Sequence, residues 1–109
     1  MKSRMKGHPG LEIEADQLQL QISSGWDMLI FDLRPYEEYR EGHIPGAKFI
    51  PPGDIYQNND LVPKGKPVIL YCSNGATSLL TARMLVEKGF KNVEILKNGF
   101  KTWRYDIEK

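Results

Sequence analysis

Short apolar runs alternate along this chain with longer segments whose apolar residues recur at helical spacing. The clearest runs are residues 67–72, Pro-Val-Ile-Leu-Tyr-Cys, and residues 28–32, Met-Leu-Ile-Phe-Asp. Both are almost continuously apolar, which is typical of strands buried on both faces of a parallel sheet. Helical spacing is found in residues 15–24 and in residues 78–88. The alternation predicts an α/β fold in which helices cover both faces of a parallel sheet.

Shorter elements complete the predicted pattern. In chain order they are a strand at residues 11–14, a helix from 35 to about 40, a strand at 48–50, a strand at 93–96 and a helix around 100–105. Residues 53–66 are polar and contain glycine and asparagine. This composition predicts a loop with at most one helical turn.

The size and charge of the chain limit its class. With 109 residues it is predicted to be one domain, and its 15 basic and 14 acidic residues give a formal net charge of +1. This balance indicates no nucleic-acid partner. No stretch approaches the roughly 18 apolar residues of a membrane span. Residues 1–10 are basic without a following apolar run, so we expect a mobile tail rather than a secretion signal, and a cytoplasmic protein.

Cys72 is the only cysteine in the sequence. A single cysteine excludes an internal disulfide and leaves no second thiol for a dithiol cycle. His8 and His43 are not at ligand spacing from each other or from Cys72, which argues against a zinc site. We therefore expect no metal and no organic cofactor.

The segment that follows Cys72 is the strongest candidate for chemistry. It is a compact polar loop between a predicted strand and a predicted helix, and it consists of Ser73, Asn74, Gly75, Ala76, Thr77 and Ser78. Backbone N–H groups at the start of a helix bind anions and stabilise a thiolate. Ligands of parallel sheets also collect at the carboxyl ends of the strands. A lone cysteine is often only a small core residue, but the glycine-containing loop favours a reactive one.

Several motifs, in this order, resemble the rhodanese (thiosulfate:cyanide sulfurtransferase) domain. They are Asp32-Leu33-Arg34 with Glu38-Tyr39, residues 42–47, residues 68–78, residues 89–93 and residues 99–103. The resemblance covers most of the chain and implies a rhodanese domain over residues 11–109. It also implies a central parallel sheet of about five strands flanked by helices.

The resemblance implies a sulfur-transfer mechanism. Cys72 would attack the outer sulfur of a thiosulfate, persulfide or polysulfide donor, hold that sulfur as a persulfide, and pass it to a thiol, cyanide or a protein. The loop from Ser73 to Ser78 would cradle the sulfur, and Arg34 would help to attract an anionic substrate. The partners implied are small sulfur donors and thiol acceptors, with a sulfur-relay protein as a further candidate.

The loop lacks any basic side chain, which sets it apart from better-known thiosulfate-using members. Thiosulfate is a dianion, and neutral hydrogen bonds hold a charge less strongly than charge-assisted ones. We therefore predict that persulfide or polysulfide donors are preferred to thiosulfate. The alternative function is a rhodanese-like binding module that senses sulfur or performs no catalysis. A cysteine phosphatase of similar architecture is disfavoured, because Ser78 stands where its phosphate-binding arginine would be.

Other polar and aromatic residues are given structural roles. Asp32 is expected to form a structural pair, and His43 is expected to serve as a turn residue. The aromatic residues Phe100, Trp103 and Tyr105 are predicted to close the core. A solvated basic face, with some capacity to dock an acidic partner, is predicted for Lys97, Lys101 and Arg104.

Overall fold

The computed structural model describes residues 11–109, and the predicted tail at residues 1–10 lies outside them. The strands are β1 (Glu12–Ile13), β2 (Leu29–Asp32), β3 (Lys48–Phe49), β4 (Val68–Tyr71) and β5 (Val93–Leu96). The α-helices are α1 (Ala15–Ser23), α2 (Tyr36–Glu41), α3 (Pro52–Gln57) and α4 (Ala76–Glu87). Across residues 11–109, no helix has the length and apolar character needed to cross a membrane.

The five strands form one parallel sheet in the order β1-β5-β4-β2-β3. β4 therefore lies at the centre, between β5 and β2. Its last residue, Tyr71, is in register with Asp32 at the end of β2. The carboxyl ends of the two central strands thus meet at one edge of the sheet. The α/β fold with a parallel sheet of five strands, predicted from the alternation and the resemblance, is confirmed.

Successive residues of β4 point to opposite faces of the sheet, as the pleat requires. Val68, Leu70 and Cys72 belong to the apolar cluster that contains Ala82 and Leu85 of α4. We call this side of the sheet the α4 face. The other cluster contains Ile69 and Tyr71 of β4 together with Leu18 of α1 and Trp103, and we call its side the α1 face. Helices cover both faces, as predicted.

The region predicted as a loop at residues 53–66 contains more helix than expected. Helix α3 spans Pro52–Gln57, and a 3₁₀ turn follows at Asn59–Leu61. Proline suits the first position of a helix because its missing N–H group would have no helical partner there. Ile55 is fully buried and anchors the helix to the α4 face. The prediction failed because a single buried apolar residue gives no helical periodicity.

The predicted C-terminal helix at residues 100–105 is shorter than expected and is only a 3₁₀ turn, Phe100–Thr102. Trp103 leaves the turn in an extended conformation, is 9% exposed, and donates its indole N–H to the carbonyl of Asp106. Tyr105, which was predicted to lie in the core, is 41% exposed. Burial of Trp103 therefore ends the helix and turns the next residues outward.

Candidate functional site

The loop after β4 turns sharply into helix α4. Gly75 precedes the first helical residue and has a φ of 97°, in the left-handed region that favours glycine. Asn74 accepts a hydrogen bond on its side-chain oxygen from the N–H of Ala76 at 3.0 Å. The helix consequently begins at Ala76, two positions earlier than Ser78, the residue predicted to start it. This early start brings the first helical N–H groups close to Cys72.

The sulfur of Cys72 lies at the focus of two backbone donors. The N–H of Gly75 is 3.2 Å from Sγ and the N–H of Ser78 is 3.4 Å from it. A protonated Cys72 can also donate to Oγ of Ser78, which is 3.5 Å away. The cysteine is 5% exposed and Ser78 is fully buried. Because the donors belong to the start of a 12-residue helix, the position favours a negative charge on sulfur.

The side chains of the other predicted loop residues have different surroundings. Ser73 faces away from the sulfur and donates its hydroxyl to Oε1 of Glu38 at 3.2 Å. The hydroxyl of Ser78 donates to the carbonyl of Gly75 at 3.2 Å and so fixes the loop. Thr77 is exposed on the outer side of α4. Of the predicted substrate-binding residues, Gly75 and Ser78 therefore contact Cys72 directly, whereas Asn74 shapes the turn.

A second segment, residues 99–101, contacts the backbone of Cys72, a contact that was not predicted from the sequence. The N–H of Phe100 donates to the carbonyl of Cys72 at 2.8 Å, and the N–H of Lys101 donates to the carbonyl of Ser73 at 3.2 Å. Gly99 has φ 74° and ψ −169°, a conformation almost restricted to glycine. A Cβ atom there would lie 2.6 Å from the Cys72 carbonyl oxygen. Only a glycine lets the C-terminal segment approach the loop this closely.

Replacing Gly99 with alanine is expected to lower the free energy of unfolding by about 2 to 3 kcal/mol, since backbone strain and the clash with Cys72 add together. Gly89→Ala provides a matched control, because Gly89 also has a positive φ, 97°, but has open space where a Cβ would be. We expect it to lose only about 1 kcal/mol. Urea unfolding of both variants measures the difference. Equal losses would show that the close approach has no energetic consequence.

Arg34 and Asp32 form a buried ion pair on the α1 face. Nε of Arg34 lies 3.1 Å from each carboxylate oxygen of Asp32, and Nη2 donates to Oδ2 at 2.8 Å and to the Gly42 carbonyl at 2.6 Å. Its guanidinium carbon is 4.0 Å from the centre of the Phe100 ring. Burial disfavours the charged guanidinium, but hydrogen bonding and charge from Asp32 outweigh this and raise the pKa of Arg34.

This arrangement separates the guanidinium of Arg34 from the side chain of Cys72. Its guanidinium lies over the rings of Tyr71 and Phe100, on the α1 face, whereas the side chain of Cys72 belongs to the α4 face. Asp32 forms the structural pair expected of it. The contact of Arg34 with substrate stays a prediction. Its position instead favours support of Phe100, whose N–H holds the carbonyl of Cys72.

His43 occupies the turn position expected of it. Its ring stacks on Tyr39 at 3.9 Å, and Nδ1 lies 2.8 Å from the Tyr39 carbonyl oxygen. Its backbone forms an antiparallel bridge with Glu108. Through these contacts His43 links helix α2 to the C-terminal segment. Lys97, Lys101 and Arg104 are all exposed, as predicted, but they do not form the predicted helical face, because only Lys101 lies in the 3₁₀ turn.

Comparison with known proteins gives a match over nearly all of the described chain. The rhodanese-like domain family matches residues 14–106. A tRNA sulfurtransferase of Desulfurococcus amylolyticus is 41% identical over 101 residues, which are 93% of this chain and 19% of that protein. A thiosulfate sulfurtransferase GlpE of Coxiella burnetii is 38% identical over 78 residues, 72% of this chain and 73% of that protein. The chain thus spans about a fifth of the first relative and most of the second.

The fold is similar to solved structures. A rhodanese-related protein of Thermoplasma volcanium superposes with a TM-score of 0.79 at 21% identity, covering 90% of this chain and 97% of that one. At this identity the similarity concerns the fold alone. The family match, the sequence relatives and the fold agree with one another. The chain therefore belongs to the family of rhodanese-like domains.

Proposed function

We propose that this chain moves sulfane sulfur through a persulfide on Cys72. The Cys72 thiolate attacks the outer sulfur of a donor, and the sulfur–sulfur bond of the donor breaks with its electron pair leaving on the donor fragment. An acceptor thiolate or cyanide then attacks the outer sulfur of the persulfide, and Cys72 leaves as a thiolate. The observation that carries the proposal is the pair of N–H groups, from Gly75 and Ser78, on the Cys72 sulfur.

The chain is a rhodanese-type sulfurtransferase by family and by its named relatives. Its substrates are accordingly a sulfur donor and a thiol-type acceptor. We further propose that a sulfur-relay protein can act as the acceptor. We propose the cytoplasm as the compartment, since thiols there are kept reduced.

The backbone of the loop can stabilise both sulfurs of the persulfide. Gly75 and Ser78 donate to the inner sulfur, which is Sγ of Cys72. The N–H groups of Asn74 and Thr77 make no hydrogen bond among residues 11–109. They are the donors that remain for the outer sulfur and for charge that develops during transfer. Under this proposal the cradle consists of backbone, so the loop side chains can vary.

The side chains of the loop favour persulfide or polysulfide donors over thiosulfate. Residues 73–78 carry no charge, so a dianionic donor finds no cation in the loop itself. The hydroxyl of Ser73 is already donated to Glu38, and that of Ser78 is donated to the carbonyl of Gly75. Glutathione persulfide has its fixed charges away from its reacting sulfur, and its thiolate leaving group needs only the backbone donors.

Replacing Ser73 with arginine is expected to raise kcat/KM for thiosulfate about five- to thirtyfold relative to glutathione persulfide, because a charge-assisted contact contributes about 1 to 2 kcal/mol. Both donors are assayed with one common acceptor. Leu80→Arg is the control. Leu80 is 62% exposed on α4, so an arginine at this position adds the same charge outside the loop. The donor proposal fails if wild-type protein prefers thiosulfate, or if the two arginine variants behave alike.

A further inference from the structure

The carboxylate of Glu38 contacts the loop that follows Cys72, residues 73–78. Glu38 lies on α2, and its Oε1 accepts a hydrogen bond of 3.2 Å from Oγ of Ser73, the residue directly after Cys72. The two residues are 35 positions apart in sequence. Helix α2 is held in place by Tyr39, whose hydroxyl donates to the Ala47 carbonyl at 2.9 Å. The carboxylate is thus positioned beside the loop by a helix that the Tyr39 hydrogen bond ties to residue 47.

Two cations, Arg34 and Lys101, also lie near the loop, but neither hydrogen-bonds to a side chain of residues 73–78. Arg34 is paired with Asp32 and is also attracted by the charge of Glu38. Lys101 donates its backbone N–H to the carbonyl of Ser73, and it lines an open cavity of about 380 Å³ together with loop residues 74–76 and Glu12. Across residues 11–109, Glu38 is the charged side chain that hydrogen-bonds to a side chain of residues 73–78. The fixed charge bound to the loop is therefore negative.

We infer that Glu38 is a specificity-determining residue, whose carboxylate disfavours donors that carry anionic charge at the reacting group. The inference rests on the proposed function, because it concerns which donor reaches Cys72. Thiosulfate brings two negative charges close to Ser73 and leaves as charged sulfite. Glutathione persulfide keeps its fixed charges on the peptide part, away from the sulfur that is transferred. Repulsion by one carboxylate therefore penalises thiosulfate more than the persulfide.

The variant Glu38→Gln tests this directly, because glutamine removes the charge and retains an oxygen that can accept from Ser73. We expect the ratio of kcat/KM for thiosulfate to kcat/KM for glutathione persulfide to rise about tenfold, chiefly through a lower KM for thiosulfate. Glu37→Gln is the matched control. It removes the same charge from the next position of the same exposed helix, and we expect the ratio to change less than about twofold.

Ionic strength provides a readout that a purely structural role of Glu38 would not move. Between about 0.01 M and 0.15 M salt the screening length falls from about 30 Å to about 8 Å. We expect the thiosulfate kcat/KM of wild-type protein to rise over this range, and that of Glu38→Gln to rise clearly less. An unchanged donor ratio in Glu38→Gln would overturn the inference. An equal change of the donor ratio in Glu37→Gln would also overturn it. So would an equal fall of kcat/KM for both donors in Glu38→Gln.

The outcome for Glu38 can be separated from the outcome for the proposed function. Intact mass of each variant after exposure to each donor reports whether Cys72 gains a sulfur atom. If the variants gain sulfur and the donor ratio does not move, the inference about Glu38 is wrong and the proposed function stands. If no variant and no donor yields a sulfur adduct, the proposed function itself is wrong.

Discussion

A Cys72→Ser variant is expected to lose sulfur transfer down to the uncatalysed background, a fall of about a thousandfold or more. A serine hydroxyl is a poor nucleophile and cannot hold sulfane sulfur as a persulfide. The Gly75 and Ser78 N–H groups that face Sγ would then face a hydroxyl oxygen, which also accepts hydrogen bonds. The fold should therefore survive, and steady-state assays with thiosulfate and with glutathione persulfide measure the loss.

The control for this variant is its stability. Cys72 is 5% exposed in the α4-face cluster, so a misfolded variant would also lose activity. We expect Cys72→Ser to stay within about 1 to 2 kcal/mol of wild type in urea unfolding, since the new hydroxyl has partners. Turnover above background by a folded Cys72→Ser protein would mean that another group is the nucleophile.

Removing the carboxylate in Asp32→Ala is expected to lower the free energy of unfolding by about 3 to 5 kcal/mol. Asp32 is fully buried, and its carboxylate accepts hydrogen bonds from the backbone N–H and the guanidinium of Arg34. Its loss leaves a cation that is 6% exposed without its counter-ion. Because whole domains are stable by only about 5 to 15 kcal/mol, this single change would bring the protein close to unfolding.

Two variants test the cause of that loss. Asp27→Ala breaks an ion pair with Lys66 of similar length, 3.0 Å, but Asp27 has an 86% exposed side chain, so we expect a cost below about 1 kcal/mol. In the double variant Asp32→Ala with Arg34→Met, no buried charge remains unpaired, and part of the stability should return. A cost of Asp32→Ala no larger than that of Asp27→Ala would refute the account.

The parts of the site that could be predicted are local in sequence. A strand ending at Cys72, a polar loop with Gly75 and a helix directly after it follow one another without a break. The N–H groups of the loop and of the first helical turn can reach the cysteine through short-range geometry alone. For that reason the backbone donors around Cys72 followed from the sequence, while the start of the helix differed by two residues. The role of Cys72 as the nucleophile stays a prediction.

Contacts between distant segments could not be predicted. The bond from Ser73 to Glu38 depends on how α2 lies against the loop. The fit of Gly99 behind Cys72 depends on where the chain runs after β5. A single amino-acid sequence does not give the distances between such elements. The resemblance marked Gly99 as part of a motif, but only the structure shows that its missing side chain makes room for the Cys72 and Ser73 carbonyls.

Alternation along β2 places Arg34 on the same face as Ile30, but it does not relate that face to the side chain of Cys72. Ile30, Asp32 and Arg34 follow one another at a spacing of two, and Ile30 belongs to the α1-face cluster. Asp32 is in register with Tyr71, which lies on the same face, so Cys72 must point to the other face. The strand register was the missing information, because it cannot be read from one sequence.

Intact mass spectrometry of the non-reduced protein tests the central claim most directly. Wild-type protein exposed to glutathione persulfide should gain the mass of one sulfur atom, and cyanide should remove that mass. Cys72→Ser treated in the same way should gain nothing, whereas Glu37→Gln should behave as wild type. A sulfur adduct on Cys72→Ser, or a wild-type protein that gains no sulfur from any donor while it remains folded, would contradict a Cys72 persulfide.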